Sequence, residues 1–316
     1  MNIKIYFYNI TCIIIGSYHY FSFATVYTLP NNNNRLIGEN IEIVTPVNNT
    51  HSLEYFSEKF KVGISNMLEA NPDIDVYLPN SETRLLIPHQ LILPNTIHSG
   101  VVINTAEMRL YYYPKNNNIV IVLPIAIGTV KNATPSHWIT SIKHKKKNPF
   151  WIPTKSMRDE YLKQGKFLPT IFPAGPNNPM GLYALYLEKS YAIHGTNCNF
   201  GIGLRITRGC IRLRPQDIEY LFHIVPVGTR VQFINEPIKT TVETNGMRYL
   251  EIHNPLSYST EETRSDSSVI AHLKEQVQSI LRDDFNIDHQ IINKALQDRS
   301  GIPINITRNS LKIKSK

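Results

Sequence analysis

Cysteine is scarce in this chain: three occur in 316 residues, Cys12, Cys198 and Cys210. So few exclude a scaffold stapled by disulfides. The fold must rest on apolar cores, for which a hydrophobic content of 42% is enough. Metal-ligand spacing is missing as well. His194, Cys198 and Cys210 offer ligand atoms, but no fourth ligand stands at the short paired spacing of a structural zinc site, so no metal is expected. The glycines of FGIGLRITRG do not open a helix after a strand, which argues against nucleotide binding. The basic run Lys143 to Lys147 (KHKKK) has no interleaved aromatics and no accompanying recognition motif, so nucleic acid is not expected as a partner. No internal repeat is evident. The N-terminal apolar stretch Ile5 to Gly16 is interrupted by Asn9 and Thr11 and falls short of the ~20 residues that span a bilayer.

That stretch has the features of an export signal. Lys4 is the only charge before Arg35, and Ser22-Phe23-Ala24 places small residues at the usual cleavage spacing. Residues 1–24 are therefore expected to be a signal peptide, with an uncleaved anchor as the alternative. Cys12 has Thr before it and three Ile after it, a poor context for lipidation. Residues 25–37 carry an Asn run without periodicity and suggest a linker.

Residues 38–94 have the order strand, helix, helix, strand. Ile41 to Val44 alternates; Ser52 can cap a helix over LEYFSEKF with Glu54 in its first turn. Ser65 is positioned to cap a second helix that Pro72 stops, and Thr83 to Ile87 returns as a strand. Residues 97–236 are mostly strand: GVVIN, RLYYY, NIVIVL and RVQFI are β-branched or aromatic runs between turn residues. Asp217 to His223 suggests one short helix. Pro149 to Pro179 is an irregular excursion, a candidate lid. Residues 240–316 suggest a helical tail, because Val269, Ile270, Leu273, Val277, Ile280 and Leu281 fall at helical spacing. The fold class expected is α+β: a small βααβ module, a mainly β domain and a helical C-terminal tail.

Charge is uneven. Arg35 to Asn95 holds 4 basic and 8 acidic residues, Thr96 to Lys239 holds 18 and 7, and the residues after Lys239 balance at 10 and 10. A basic middle segment suits an anionic polymer or surface, although solvation alone also explains it.

The segment SYAIHGTNCNFGIGLRITRGCIRLR carries the chemistry. His194 precedes Cys210 by sixteen residues, with a glycine directly after the one and before the other. Two strand ends joined by a Gly-rich loop bring an imidazole to a thiol, and the thiolate is the nucleophile.

The middle segment resembles the L,D-transpeptidase (YkuD-type) family. The matching motifs run in order: GVVINTAEMRLYYYP, PIAIG, FPAGPNNPMGLYAL, YAIHGTN, FGIGLR and RGCIRLRPQDIEYLF. Residues 38–94, through Ser-Leu-Glu, Leu-Glu-x-Asn-Pro and a final Ile-Pro, resemble a LysM module, which implies binding of peptidoglycan glycan. The domain order resembles the periplasmic enzymes that attach the major outer-membrane lipoprotein to peptidoglycan. The resemblance implies a monomer that acts on tetrapeptide stems without cofactor. Its roles fall on Cys210 as nucleophile and His194 as base. Gly195 supplies the carbonyl that orients the imidazole, and the amides of Gly209 and Cys210 form the oxyanion hole. Arg212, Tyr183, Asn197 and Arg208 are the candidate substrate-binding residues. Arg208 stands where many members have histidine, and Cys198 is an unexpected second thiol. Three readings stay open beside lipoprotein attachment: cross-linking of diaminopimelate residues, hydrolysis, and a wall-binding protein whose catalytic domain is inactive.

Overall fold

A computed structural model describes residues 24–256, 266–282 and 284–308. The proposed signal peptide, Ala24 apart, lies outside the described residues. Residues 25–37 are not a linker. Strand β1 (Thr25–Thr28) pairs antiparallel with a strand of the central sheet, Thr25 opposite Val122 and Thr28 opposite Ile119. Its partner lies almost a hundred residues away, so the Asn run beside it masks a four-residue strand. β2 (Leu36–Ile37) then leads into β3 (Ile41–Val44), α1 (Leu53–Lys59), α2 (Ile64–Ala70), β4 (Arg84–Ile87) and β5 (Leu91–Ile92). β3 pairs antiparallel with β4, and β2 with β5.

The Ser52 hydroxyl caps α1 by accepting from the Tyr55 amide. Leu53, Phe56, Ile64, Met67, Leu85 and Ile87 bury the inner faces of this βααβ unit. Ser65 does not cap α2. That helix starts two residues earlier, after Gly63, and its Ile64 amide donates to the Ile202 carbonyl at 3.0 Å instead. A tertiary partner replaces the local cap.

The chain then builds β6 (Gly100–Asn104), β7 (Arg109–Tyr113), β8 (Ile119–Pro124), β9 (Ile127–Gly128), β10 (Trp138–Ser141) and β11 (His144–Lys147). It continues through α3 (Lys155–Lys163), β12 (Tyr183–Tyr186), β13 (Ala192–His194), β14 (Arg205–Thr207), β15 (Ile211–Arg212), α4 (Pro215–Ile224) and β16 (Arg230–Ile234). One sheet has the order β1-β8-β7-β6-β16-β10, a second β11-β12-β13-β15. Their facing sides, with α4, form the largest core, including Ile103, Leu110, Ile121, Leu185, Ile193, Ile211 and Leu221. All but the first residue of the KHKKK run form the edge strand β11, where lysines discourage pairing with another chain. Lys145 also ties down two carbonyls at the end of α4, Phe222 at 2.5 Å and Val225 at 2.9 Å.

The C-terminal region is not purely helical. β17 (Ile238–Val242) and β18 (Arg248–Ile252) form a hairpin; after α5 (Asp266–Ile280) and α6 (His289–Asp298), β19 (Ile304–Asn305) joins β18. The alternation in this hairpin is short and polar, so the longer helical periodicity that follows it dominates a sequence reading. Asp288 caps α6 through the Gln290 and Ile291 amides.

Three parts of the chain meet at a buried ionic cluster. Lys239 Nζ lies 2.9 Å from Glu107 and 3.0 Å from Glu251; Arg109 Nη1 lies 2.8 Å and 3.1 Å from the same carboxylates. His253 sits between Glu251 at 2.8 Å and Glu69 of α2 at 2.7 Å. Ligand atoms of Glu107, Glu251 and His253 lie within 4.8 Å of one another, as a metal would require. The cations of Lys239 and Arg109 already balance those carboxylates. Both ring nitrogens of His253 donate to carboxylates, so the imidazolium is favoured and its pKa rises to about 9 despite burial. The folded value exceeds the unfolded one. This contribution is therefore complete below pH ~6.5 and is lost as pH rises through 9, at a cost on the order of 3 kcal/mol. Urea midpoints are expected to fall between pH 7 and pH ~9.5, and His253→Gln should remove that slope.

Candidate active site

β13 and β15 run parallel, with Ile193 opposite Ile211 and His194 opposite Arg212. Side chains alternate across a sheet, so Ile193 and Ile211 enter the main core while Ala192, His194 and Arg212 face the other side. Cys210, one residue before β15, lies level with Ala192 and shares that face. There Cys210, Tyr186 and Trp151 pack against the buried Met180, Ala184 and Ala192.

His194 is buried. Its Nδ1 lies 2.7 Å from the Gly195 carbonyl. A carbonyl only accepts, so Nδ1 carries the hydrogen and Nε2 is left with its lone pair. Burial, then the nearby Arg212 charge, lowers the His194 pKa to about 4, against the pull of the Gly195 and Met180 carbonyls. The imidazole is thus neutral near pH 7, as a base must be. Burial pushes the Cys210 thiol up, while the Ala192 amide and the Arg212 guanidinium favour its thiolate. Both groups are neutral at rest. Proton transfer from sulfur to Nε2 would accompany attack rather than precede it. Arg212 lies within electrostatic reach of both Cys198 and Cys210, and its Nε is buried without a partner among the described residues. Both cysteines are free thiols, Cys198 exposed and Cys210 half-buried.

Three hydroxyl contacts fix the turn at Cys210. Thr134 Oγ1 donates to the Gly209 carbonyl at 2.9 Å, and Thr207 Oγ1 donates to the Cys210 carbonyl at 2.6 Å. The Gly209 amide donates to Thr207 Oγ1 at 3.2 Å, so this proposed oxyanion-hole donor is engaged within its own loop. Gly209 has φ +103°, a backbone that favours glycine. Neither threonine stands out in the sequence; Thr207, three residues before a thiol in a turn, is the only local hint. Thr207→Val is expected to slow acylation roughly ten- to hundredfold by releasing the thiol's backbone, with Thr207→Ser restoring most of it. Single-turnover mass spectrometry would read both.

The other expected substrate contacts are distributed differently. Tyr183 is buried in β12; its hydroxyl donates to Glu219 at 2.8 Å and its ring packs on Phe222, so the core takes it up. Asn197 reaches the Asn177 carbonyl at 3.3 Å, tying the loop after His194 to the excursion. Arg208 Nη2 lies 2.6 Å from Glu160 of α3. The excursion is therefore ordered: it contains a helix absent from the sequence reading, a Trp151–Phe172 bridge, and an Asn178 side chain that donates to the Pro149 carbonyl at 2.9 Å. α3 has no buried residue, so its apolar pattern is too weak to read. Trp151 brings the excursion onto the Cys210 face. The Arg208–Glu160 pair is about one-third exposed on each side, 31% and 35%, and such pairs contribute little. Arg208→His is expected to acylate within about fivefold of wild type.

A thiol beside a neutral imidazole on one sheet face is an arrangement suited to acyl transfer. The comparisons agree with that class. Residues 98–233 match the YkuD L,D-transpeptidase catalytic domain, and residues 237–306 match the L,D-transpeptidase C-terminal domain. The chain is 52% identical over 283 residues to the probable L,D-transpeptidase YbiS of Escherichia coli K12, covering 90% of this chain and 92% of that protein. It is 51% identical over 288 residues to the probable L,D-transpeptidase ErfK/SrfK of Salmonella typhimurium, covering 91% and 93%. The chain belongs to the L,D-transpeptidase family and is an enzyme of that family. No helix among the described residues is long and apolar enough to cross a membrane.

Proposed function

We propose that Cys210 and His194 carry out L,D-transpeptidation on peptidoglycan tetrapeptide stems in the periplasm, with a lipoprotein lysine as acyl acceptor. The Cys210 thiol loses its proton to His194 Nε2 as sulfur attacks the carbonyl joining the L-centre of diaminopimelate to D-Ala. The imidazolium returns the proton to the leaving D-Ala amine, and a thioester remains. The incoming amine then attacks the thioester, gives up a proton through His194 and releases the thiol. Arg212 offers a buried, unpartnered N–H for a substrate carboxylate or carbonyl. The Cys210 amide, with Gly209 if Thr207 yields it, would stabilise the oxyanion.

The observation that carries this reading is the shared face of His194 and Cys210, with an imidazole kept neutral by burial and the Arg212 charge and held protonated on Nδ1 by the Gly195 carbonyl. An inactive wall-binding protein would have no need of that arrangement. The βααβ unit is read as a LysM module that holds glycan; its solvent-facing rings include His51 stacked on Tyr55 at 3.8 Å and the exposed Tyr77.

The test divides a preformed acyl-enzyme between two amines, a peptide ending in lysine and a second tetrapeptide stem. Preferential release onto lysine supports lipoprotein attachment. Preferential release onto the stem favours the cross-linking alternative, and release by water alone favours hydrolysis.

A further inference from the structure

The loop between His194 and Cys210 is tied to the βααβ unit as closely as to its own domain. Gly201 donates its amide to Glu54 Oε1 at 2.7 Å, and Asn199 Nδ2 donates to Glu58 Oε1 at 2.6 Å. The Ile64 amide donates to the Ile202 carbonyl at 3.0 Å, and Leu204 packs into the core of the βααβ unit. Just beyond Cys210, the buried Arg214 donates to the Val62 carbonyl at 2.8 Å. Backbones meet without side chains between them. A Cβ on Gly203, which has φ +102°, would stand 2.5 Å from the Ile64 nitrogen and 2.9 Å from Gly63. From its own domain the same stretch receives the Ile125 carbonyl on the Gly203 amide at 3.0 Å.

This segment has little means of holding its own shape. Gly201 and Gly203 both sit at positive φ, Cys198 and Phe200 are exposed, and only Ile202 and the glycines are buried. A glycine-rich stretch gains definition from outside contacts, and charge-assisted hydrogen bonds are the stronger kind. Glu54 and Glu58 lie on successive turns of α1, so one helix face supplies both acceptors.

We propose that the βααβ unit is a positioning element of the active-site loop: Glu54 and Glu58 hold residues 199–203, and thereby the alignment of Cys210 with His194. The proposal rests on the reading of Cys210 as nucleophile. It assigns to a unit read as a glycan tether a second task, felt by the acylation step even on a free stem peptide that never touches the glycan site.

The test uses the full mature chain. Glu54→Ala/Glu58→Ala is compared with Glu54→Gln, which keeps an acceptor oxygen, and Glu54→Asp, which withdraws the carboxylate by one methylene. Acylation by a free tetrapeptide stem is followed by intact mass. The double alanine variant is expected to lose roughly ten- to hundredfold in kcat while KM stays within about threefold. Glu54→Gln should stay within about threefold of wild type, and Glu54→Asp should be slowed. Should the double variant fail to fold, the Gln and Asp pair decides. A folded alanine variant with wild-type kcat overturns the proposal, as does a Gln variant no faster than the alanine one. Iodoacetamide alkylation mapped to Cys210 separates the two failures. If wild type forms no acyl-enzyme, the nucleophile reading fails. The alkylation ratio of variant to wild type then judges the clamp alone, unity overturning it and a fall supporting it.

Discussion

Cys210→Ala is expected to abolish acyl-enzyme formation, and His194→Ala to bring it close to zero. Among the described residues, the Cys210 thiol is the only group that shares a sheet face with the buried imidazole and can form a thioester; Cys198 sits in an exposed loop. Removing the base leaves a thiol that burial keeps protonated. The same account fixes the pH dependence. The His194 pKa lies at about 4, so the base is lost only as pH falls through that value. The acid limb of kcat/KM should therefore stand well below the ordinary histidine range near 6.5. A limb near 6.5 would mean that the imidazole is less buried or less close to Arg212 than the structure has it. Full activity in the alanine variant at position 210 would remove the mechanism altogether.

The second large effect concerns stability. Lys239→Met should cost about 3–5 kcal/mol, because it strips the shared cation from two buried carboxylates. Glu107 and Glu251 are both held below the usual carboxylate range, with Lys239 the largest favourable influence on each. The methionine fills a similar volume, so lost charge compensation dominates. The melting temperature should fall on the order of 10 °C. Adding Glu107→Gln should recover part of the loss, since the stranded negative charge goes with it. A change of less than ~2 °C in the single variant would show that water or rearrangement relieves the cluster. The cluster joins α2, the start of β7 and the β17–β18 hairpin, so the loss should appear as one cooperative transition.

Much of the site was legible because its signals are local. Apolar runs ending at His194 and starting at Cys210 announce strand ends, and the glycines beside them announce the turn. Ser52 announces a helix start, and its cap is present. What stayed hidden depends on distant partners. β1 is a strand only because β8 waits for its backbone, and α2 starts at Ile64 because the Ile202 carbonyl, in the loop between His194 and Cys210, takes its amide. Tyr183 sits near the site in sequence order, but alternation along β12 turns its ring into the core. The threonine contacts around Cys210 and the Arg208–Glu160 pair arise from the fold of loops, where side-chain direction has no period to reveal it. The ionic cluster is likewise invisible in sequence: its residues are ordinary charges that three separate segments carry to one point.

The most direct test is the intact mass of reduced, mature protein mixed with a purified tetrapeptide muropeptide. The account predicts an increase equal to the stem minus D-Ala, mapped by digestion to Cys210. A folded protein with Cys210 free and no adduct would contradict it.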